Sequence, residues 1–168
     1  MAQERVDAPQ IADERTMLES WLDWQRATLG IKCDGLDAAQ LRRRSAEPSS
    51  MSLLGLVRHL AEVERGWFRR CLGKQDLKAI WCTREDPDAD FDNVDDADPD
   101  SDMARWRDEI AQARSVMSVI GSLDETGTRG KGSEVSARWV LVHMIEEYAR
   151  HNGHADLLRE RIDGATGY

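Results

Sequence analysis

Residues 143–154 read HMIEEYARHNGH and hold three of the four histidines in the chain. Imidazole nitrogens and carboxylate oxygens are the donors that bind zinc and related divalent cations. On a helix turning 100° per residue, His143, Glu147, His151 and His154 fall within about 80° of one another. A lone histidine on a core face more often makes one satisfied hydrogen bond than a metal bond. Four such groups on one stripe are costly to bury without a shared partner. Helical rise limits which of them can share an ion. His143 and His151 stand about 12 Å apart along the axis, too far for two metal–nitrogen bonds of about 2.1 Å. Three pairs one turn apart remain: His143/Glu147, Glu147/His151 and His151/His154.

Such a stripe needs a rigid element beneath it and a facing one to complete a site. Apolar spacing predicts four helices, over about 11–30, 52–72, 102–120 and 134–162. Leu53, Leu56, Leu60, Val63 and Trp67 form the apolar face of the second. Ser50 or Ser52 can cap it, and Gly73 follows its end. No β-alternation and no internal repeat is visible. These signals predict an all-α fold, a four-helix bundle in a single domain spanning 1–168, with residues 1–10 flexible. Residues 73–100 connect the second helix to the third. That is far longer than the 2–8 residues usual between antiparallel neighbours, and it can cross the whole bundle. An up-down-down-up order follows, with helices 2 and 4 antiparallel. The fourth histidine, His59, lies about two turns into helix 2, with Gly66 and Arg70 near its face. Antiparallel packing brings it level with His151 and favours the set His59, Glu147 and His151.

Composition narrows the function. The 168 residues include 32 acidic and 23 basic side chains, a net charge of −9. That balance disfavours sequence-independent nucleic-acid binding and attachment to anionic membranes. No apolar run approaches a membrane span, and the first ten residues do not resemble a secretory signal, so a cytoplasmic protein is expected. The three cysteines, Cys33, Cys71 and Cys82, include no CxxC pair and form neither a disulfide framework nor a zinc knuckle. Arg69 and Arg70 could lower the thiol pKa of Cys71, although a partly buried reduced thiol is the simpler reading.

Two tempting motifs fail. Asp88, Asp90 and Asp92 match the first positions of a calcium loop, but Asn93 and Pro99 stand where glycine and glutamate are required. The segment, with ten acidic residues over 85–102, therefore reads as a solvated loop. In the glycine-rich run GSLDETGTRGKGS, Gly130-Lys131 precedes Gly132 instead of serine or threonine, and Glu125 replaces the first glycine of a phosphate-binding loop. Arg42, Arg43 and Arg44 read as a solvated run. Trp21, Trp24, Trp67 and Trp139 read as core or pocket wall.

Three stretches carry a family resemblance: DWQRATL at 23–29, SLLGLVRHLAEVERGWF at 52–68 and RWVLVHMIEEYARHNGHADLLRE at 138–160. Together they resemble the DinB-like metalloenzyme superfamily, in the branch related to mycothiol-dependent transferases and maleylpyruvate isomerase. The resemblance implies an up-down-down-up bundle and a metal triad at His59, Glu147 and His151. Many relatives carry histidine where this chain has Glu147, while the isomerase branch uses glutamate. It further implies a divalent metal, zinc foremost with nickel, manganese or iron as alternatives, and mycothiol or a similar thiol as cosubstrate. The expected activity is metal-dependent transfer of that thiol to an electrophilic small molecule, as in detoxification. His154 is a candidate general base or supporting group, and His143 could orient Glu147 or contact substrate. Arg150 and Arg70 could hold an anionic group of the cofactor, against a bland reading of both as surface salt bridges. The rival readings are a non-catalytic metal-binding or stress-induced protein of the same fold, a metal-dependent hydrolase, and a metal-free interaction module. A homodimer is a further expectation, without an interface stripe to support it.

Overall fold

The computed structural model describes residues 5–129 and 132–167. The chain is mostly helical, with six helices and one short hairpin among the described residues. Four long helices dominate. Helix α1 (Glu14–Cys33) starts at Asp13, whose carboxylate accepts from the Thr16 amide. The short helix α2 (Ala38–Arg42) follows a capping box at Asp37 and Gln40. Helix α3 (Leu53–Glu64) is capped by Ser52 and runs on as a π-helical stretch, Arg65–Leu72. The Gly73 amide closes that stretch by donating to Phe68 O, five residues back. The connection contains one short turn of helix, α4 (Ala89–Asp92). Helix α5 (Pro99–Val119) begins with proline in its first turn, where the missing amide costs nothing. Helix α6 (Ala137–Asp163) is capped by Ser136 and ends at Gly164 in the left-handed conformation.

Helix α1 packs on α6, and α3 packs on both α5 and α6. Trp106, Tyr148, Phe68, Leu22, Leu56 and Met144 are fully buried where these helices meet. No described helix is long and apolar enough to cross a membrane.

Three expectations need correction. The glycine-rich segment after α5 is not wholly a loop. It forms an antiparallel pair, β1 (Thr126–Arg129) and β2 (Ser133–Ser136), with Thr126 opposite Ser136. Strands of four residues are too short for alternation to stand out. Tertiary packing supports them, since Gly127 lies so close to the end of the π-helical stretch that a Cβ would sit 2.5 Å from Cys71 O. Gly130 and Lys131, the centre of the failed phosphate motif, lie outside the described residues.

The crossover is likewise not a free solvated loop. Glu62 on α3 accepts from the amides of Ile80, Trp81 and Cys82 at 2.7, 2.6 and 3.0 Å. Buried Arg58 donates to Asn93 O and lies over the Trp81 ring. The arginine run grips the same segment. Arg42 donates to Ala97 O and Arg44 to Asp95 and Asp92 O, leaving Arg43 exposed. The ten acidic residues over 85–102 read as solvated because sequence alone does not reveal the cations beneath them. Of the tryptophans, Trp67 is buried, whereas Trp21 and Trp139 are 43% and 44% exposed.

Candidate metal centre

Helix α3 presents His59 toward α6, which presents Glu147 and His151 one turn apart. One donor atom from each of these three residues lies within 4.8 Å of the others. Glu147 Oε2 stands 3.4 Å from His151 Nε2 and 4.0 Å from His59 Nε2. Donors sharing a tetrahedral ion at bond lengths near 2.1 Å would stand about 3.4 Å apart. The donor set therefore fits a divalent cation with little rearrangement. Among the described residues Glu147 has no hydrogen bond, so its carboxylate is not spent elsewhere.

Each imidazole is held from its other side. His59 Nδ1 pairs with Asp90 Oδ2 at 2.9 Å, which leaves Nε2 toward Glu147. Phe91 stacks on the same ring, with centroids 4.7 Å apart. His151 Nδ1 faces His154 Nδ1 at 3.3 Å. Burial, followed by the charges of His59 and His154, pushes the His151 pKa down to about 4. The ring is thus neutral at neutral pH and keeps one nitrogen lone pair for a ligand bond.

Asp90 and Phe91 were not identified as site residues from sequence. Asp90 is 3% exposed and supplies the carboxylate that typically orients a metal-binding histidine. The only signal was that His59 needs such a partner. Nothing local separates Asp90 from Asp88 or Asp92, because the contact spans 31 residues.

The other candidates separate clearly. His143 Nε2 stands 3.6 Å from Glu147 Oε1, on the side of the carboxylate away from His151. Its ring lies against Trp139 and Trp67, each with centroids 4.8 Å away. His143, Glu146 and Glu147 also bring donor atoms within 4.8 Å, although Glu146 is exposed. The pair His151/His154 meets through Nδ1 atoms in a mutual contact. Arg150 is tied to Glu146 on the surface at 3.0 Å, as its bland reading held. Arg70 instead borders a cleft of about 670 Å³ that His59 also lines. Burial works against thiolate formation at all three cysteines. Burial raises the pKa of Cys71, and it pushes Cys82 up to about 11 and Cys33 up to about 12. The charge that opposes this at Cys71 is Arg129 of β1, not the arginines beside it in sequence.

Comparison with curated proteins finds no match. Comparison with protein families finds one: residues 17–164 match the model described as Mycothiol-S-transferase.

Proposed function

The chain belongs to the mycothiol-S-transferase family, and from that premise we propose a metal-dependent enzyme joining mycothiol, or a similar low-molecular-weight thiol, to an electrophilic small molecule. One observation carries this reading: two imidazole nitrogens and a carboxylate oxygen from two helices converge within 4.8 Å of one another. His59, Glu147 and His151 would hold a divalent cation, zinc in our reading, with nickel, manganese or iron suited to the same donors. A cation bound there would lower a thiol's pKa until it is thiolate at neutral pH.

The chain's own residues do the rest. Asp90 fixes the His59 tautomer and raises its basicity. His154 orients His151 and is our candidate to receive the thiol proton. His143 steadies the outer oxygen of Glu147. The cleft beside His59 admits the electrophile, with Arg70 on its wall. Arg150 is the weaker candidate for a cofactor contact, since Glu146 already engages it. In addition to an activated double bond, the sulfur–carbon bond forms and the π pair moves to the neighbouring carbon. The thiol proton ends on that carbon, so nothing leaves and no oxidant is needed.

We further read the four long helices as an up-down-down-up bundle forming one domain. The length of the crossover and the facing of His59 toward His151 support that order. A cytoplasmic role in detoxification is the setting we propose.

The test is elemental analysis of protein purified without tag or chelator, with mycothiol-dependent loss of electrophile measured on the same sample. We expect near-stoichiometric zinc and thiol-dependent turnover, both lost in Glu147→Ala and His151→Ala. No metal after reconstitution overturns the mechanism. Stoichiometric metal without turnover favours a non-catalytic metal-binding protein, and hydrolysis without thiol favours a hydrolase.

A further inference from the structure

The cleft beside His59 has a second chemical end. The π-helical stretch that continues α3 contributes Trp67 and Arg70 to its lining, and β1 contributes Arg129. Gly66 lies between His59 and Arg70, and a Cβ there would meet nothing within 4 Å. The cleft is therefore unobstructed at Gly66. Arg129 lies over the Trp67 ring at 4.5 Å, and the tight seat of Gly127 on Cys71 fixes the strand that bears it.

The two guanidiniums differ from their neighbours. Arg65 and Arg69, on the same stretch, are both taken up by the buried carboxylate of Glu109. Among the described residues, neither Arg70 nor Arg129 has a carboxylate partner, in a chain whose net charge is −9. The acids that border the cleft do not neutralise them. Asp90 is paired with His59, and Glu62 is spent on three amides. Asp76 and Asp88 also border it without pairing to either arginine.

Resting on the thiol-transfer reading, we propose that Arg70 and Arg129 form an anion-binding end of the cleft and select an electrophile that carries a carboxylate. In that reading a cation held by His59, Glu147 and His151 would anchor the thiol by its sulfur. The electrophile has no such anchor and needs one to hold its reactive carbon in place. Planar guanidiniums recognise carboxylates through paired hydrogen bonds. Roughly 15 Å of helix separates His59 from Arg70, and an arginine side chain covers part of that span. The preferred electrophile is thus extended, with its carboxylate several bonds from the reacting carbon. Arg70 and Arg129 are specificity residues in this scheme.

The test uses 6-acrylamidohexanoate and its neutral primary amide as electrophiles, with the saturated 6-propanamido analogues as unreactive probes. Calorimetry on metal-free protein reads binding of the saturated pair. Wild type is expected to bind the acid about tenfold more tightly than the amide, the scale of one charge-assisted contact. The ratio should fall in Arg70→Gln and in Arg129→Gln and approach one in the double variant. Arg105→Gln, on the exposed face of α5, should retain it. Equal binding of acid and amide by wild type, or a preference that survives in the double variant, overturns the proposal. With zinc and mycothiol supplied, kcat/KM should favour the acrylamido acid by a similar factor and lose that preference in the same variants. A raised KM for mycothiol with the acid-to-amide ratio intact would mean that the arginines hold the thiol, which also overturns it. Acid-selective binding with no turnover of either acrylamide would remove the thiol-transfer reading and leave the anion-binding end standing.

Discussion

Two polar clusters sit on the same pair of helices, and they differ in how donors and acceptors are matched. Glu64 and Tyr148 belong to the closed cluster; His59, Glu147 and His151, on the same α3 and α6, belong to the open one. In the closed cluster Arg26 forks onto Glu64 with two bonds of 2.7 Å. The Tyr148 hydroxyl donates to Glu64 at 2.9 Å and accepts from Trp106 Nε1 at 2.8 Å. Burial and the nearby Glu64 charge push the Tyr148 pKa well above its ordinary value, so it remains a protonated donor. The side-chain contacts in this group have clear donor and acceptor roles. In the open cluster Glu147 and two imidazole nitrogens face one another; the His59 donor points outward to Asp90, and the other nitrogen of His151 meets His154. A matched network needs no further partner. Converging metal-ligand atoms suit a cation, and that contrast is what sets the open cluster apart as the candidate site.

The largest effect should come from breaking the closed cluster. Glu64→Ala leaves Arg26 charged and buried without its carboxylate, a change that costs about 3–5 kcal/mol. Urea denaturation of the zinc-free protein measures it. The folded fraction should still bind zinc through His59, Glu147 and His151. A loss below about 1 kcal/mol would mean that Asp23, which also contacts Arg26, takes over the role and that the two clusters are not so different.

The next effect belongs to the open cluster. Asp90→Asn keeps an acceptor for His59 Nδ1 but removes the charge that makes the imidazole a better ligand. Zinc affinity should fall about 10–100-fold, read by competition with a chromophoric chelator, while zinc-free stability changes little. Unchanged affinity would reduce Asp90 to a loop anchor.

How much of this contrast can be seen in sequence depends on whether each contact is local. The one-turn spacing of Glu147 and His151 is local to a helix, so the stripe was visible. His59 joined it through one non-local inference, the length of the crossover. Apolar spacing located all four long helices to within a few residues. The closed cluster left no trace, since Arg26 and Glu64 resemble ordinary charges on amphipathic helices until α1 and α3 meet. Asp90 was hidden among similar acids for the same reason. Arg129 became part of the cleft only through the hairpin, whose strands are too short to betray themselves. The non-local contacts of the site, Asp90 to His59 and Arg129 to Trp67, are those that sequence does not mark.

The smallest effect tests the charges at the edge of the open cluster. Arg26 is desolvated and held by a buried carboxylate, whereas Arg150 is exposed and held by Glu146 one turn earlier. An exposed pair at that spacing contributes about 0.3–0.5 kcal/mol at most, because water and salt screen it and two long side chains lose freedom. Arg150→Ala should therefore shift stability by no more than that, and zinc stoichiometry should remain near one. The informative readout is the KM for mycothiol. If Glu146 is the true partner of Arg150, KM stays within about twofold of wild type. A tenfold rise, reversed by Arg150→Lys, would place a thiol contact on α6 beyond His151 and extend the open cluster to the surface.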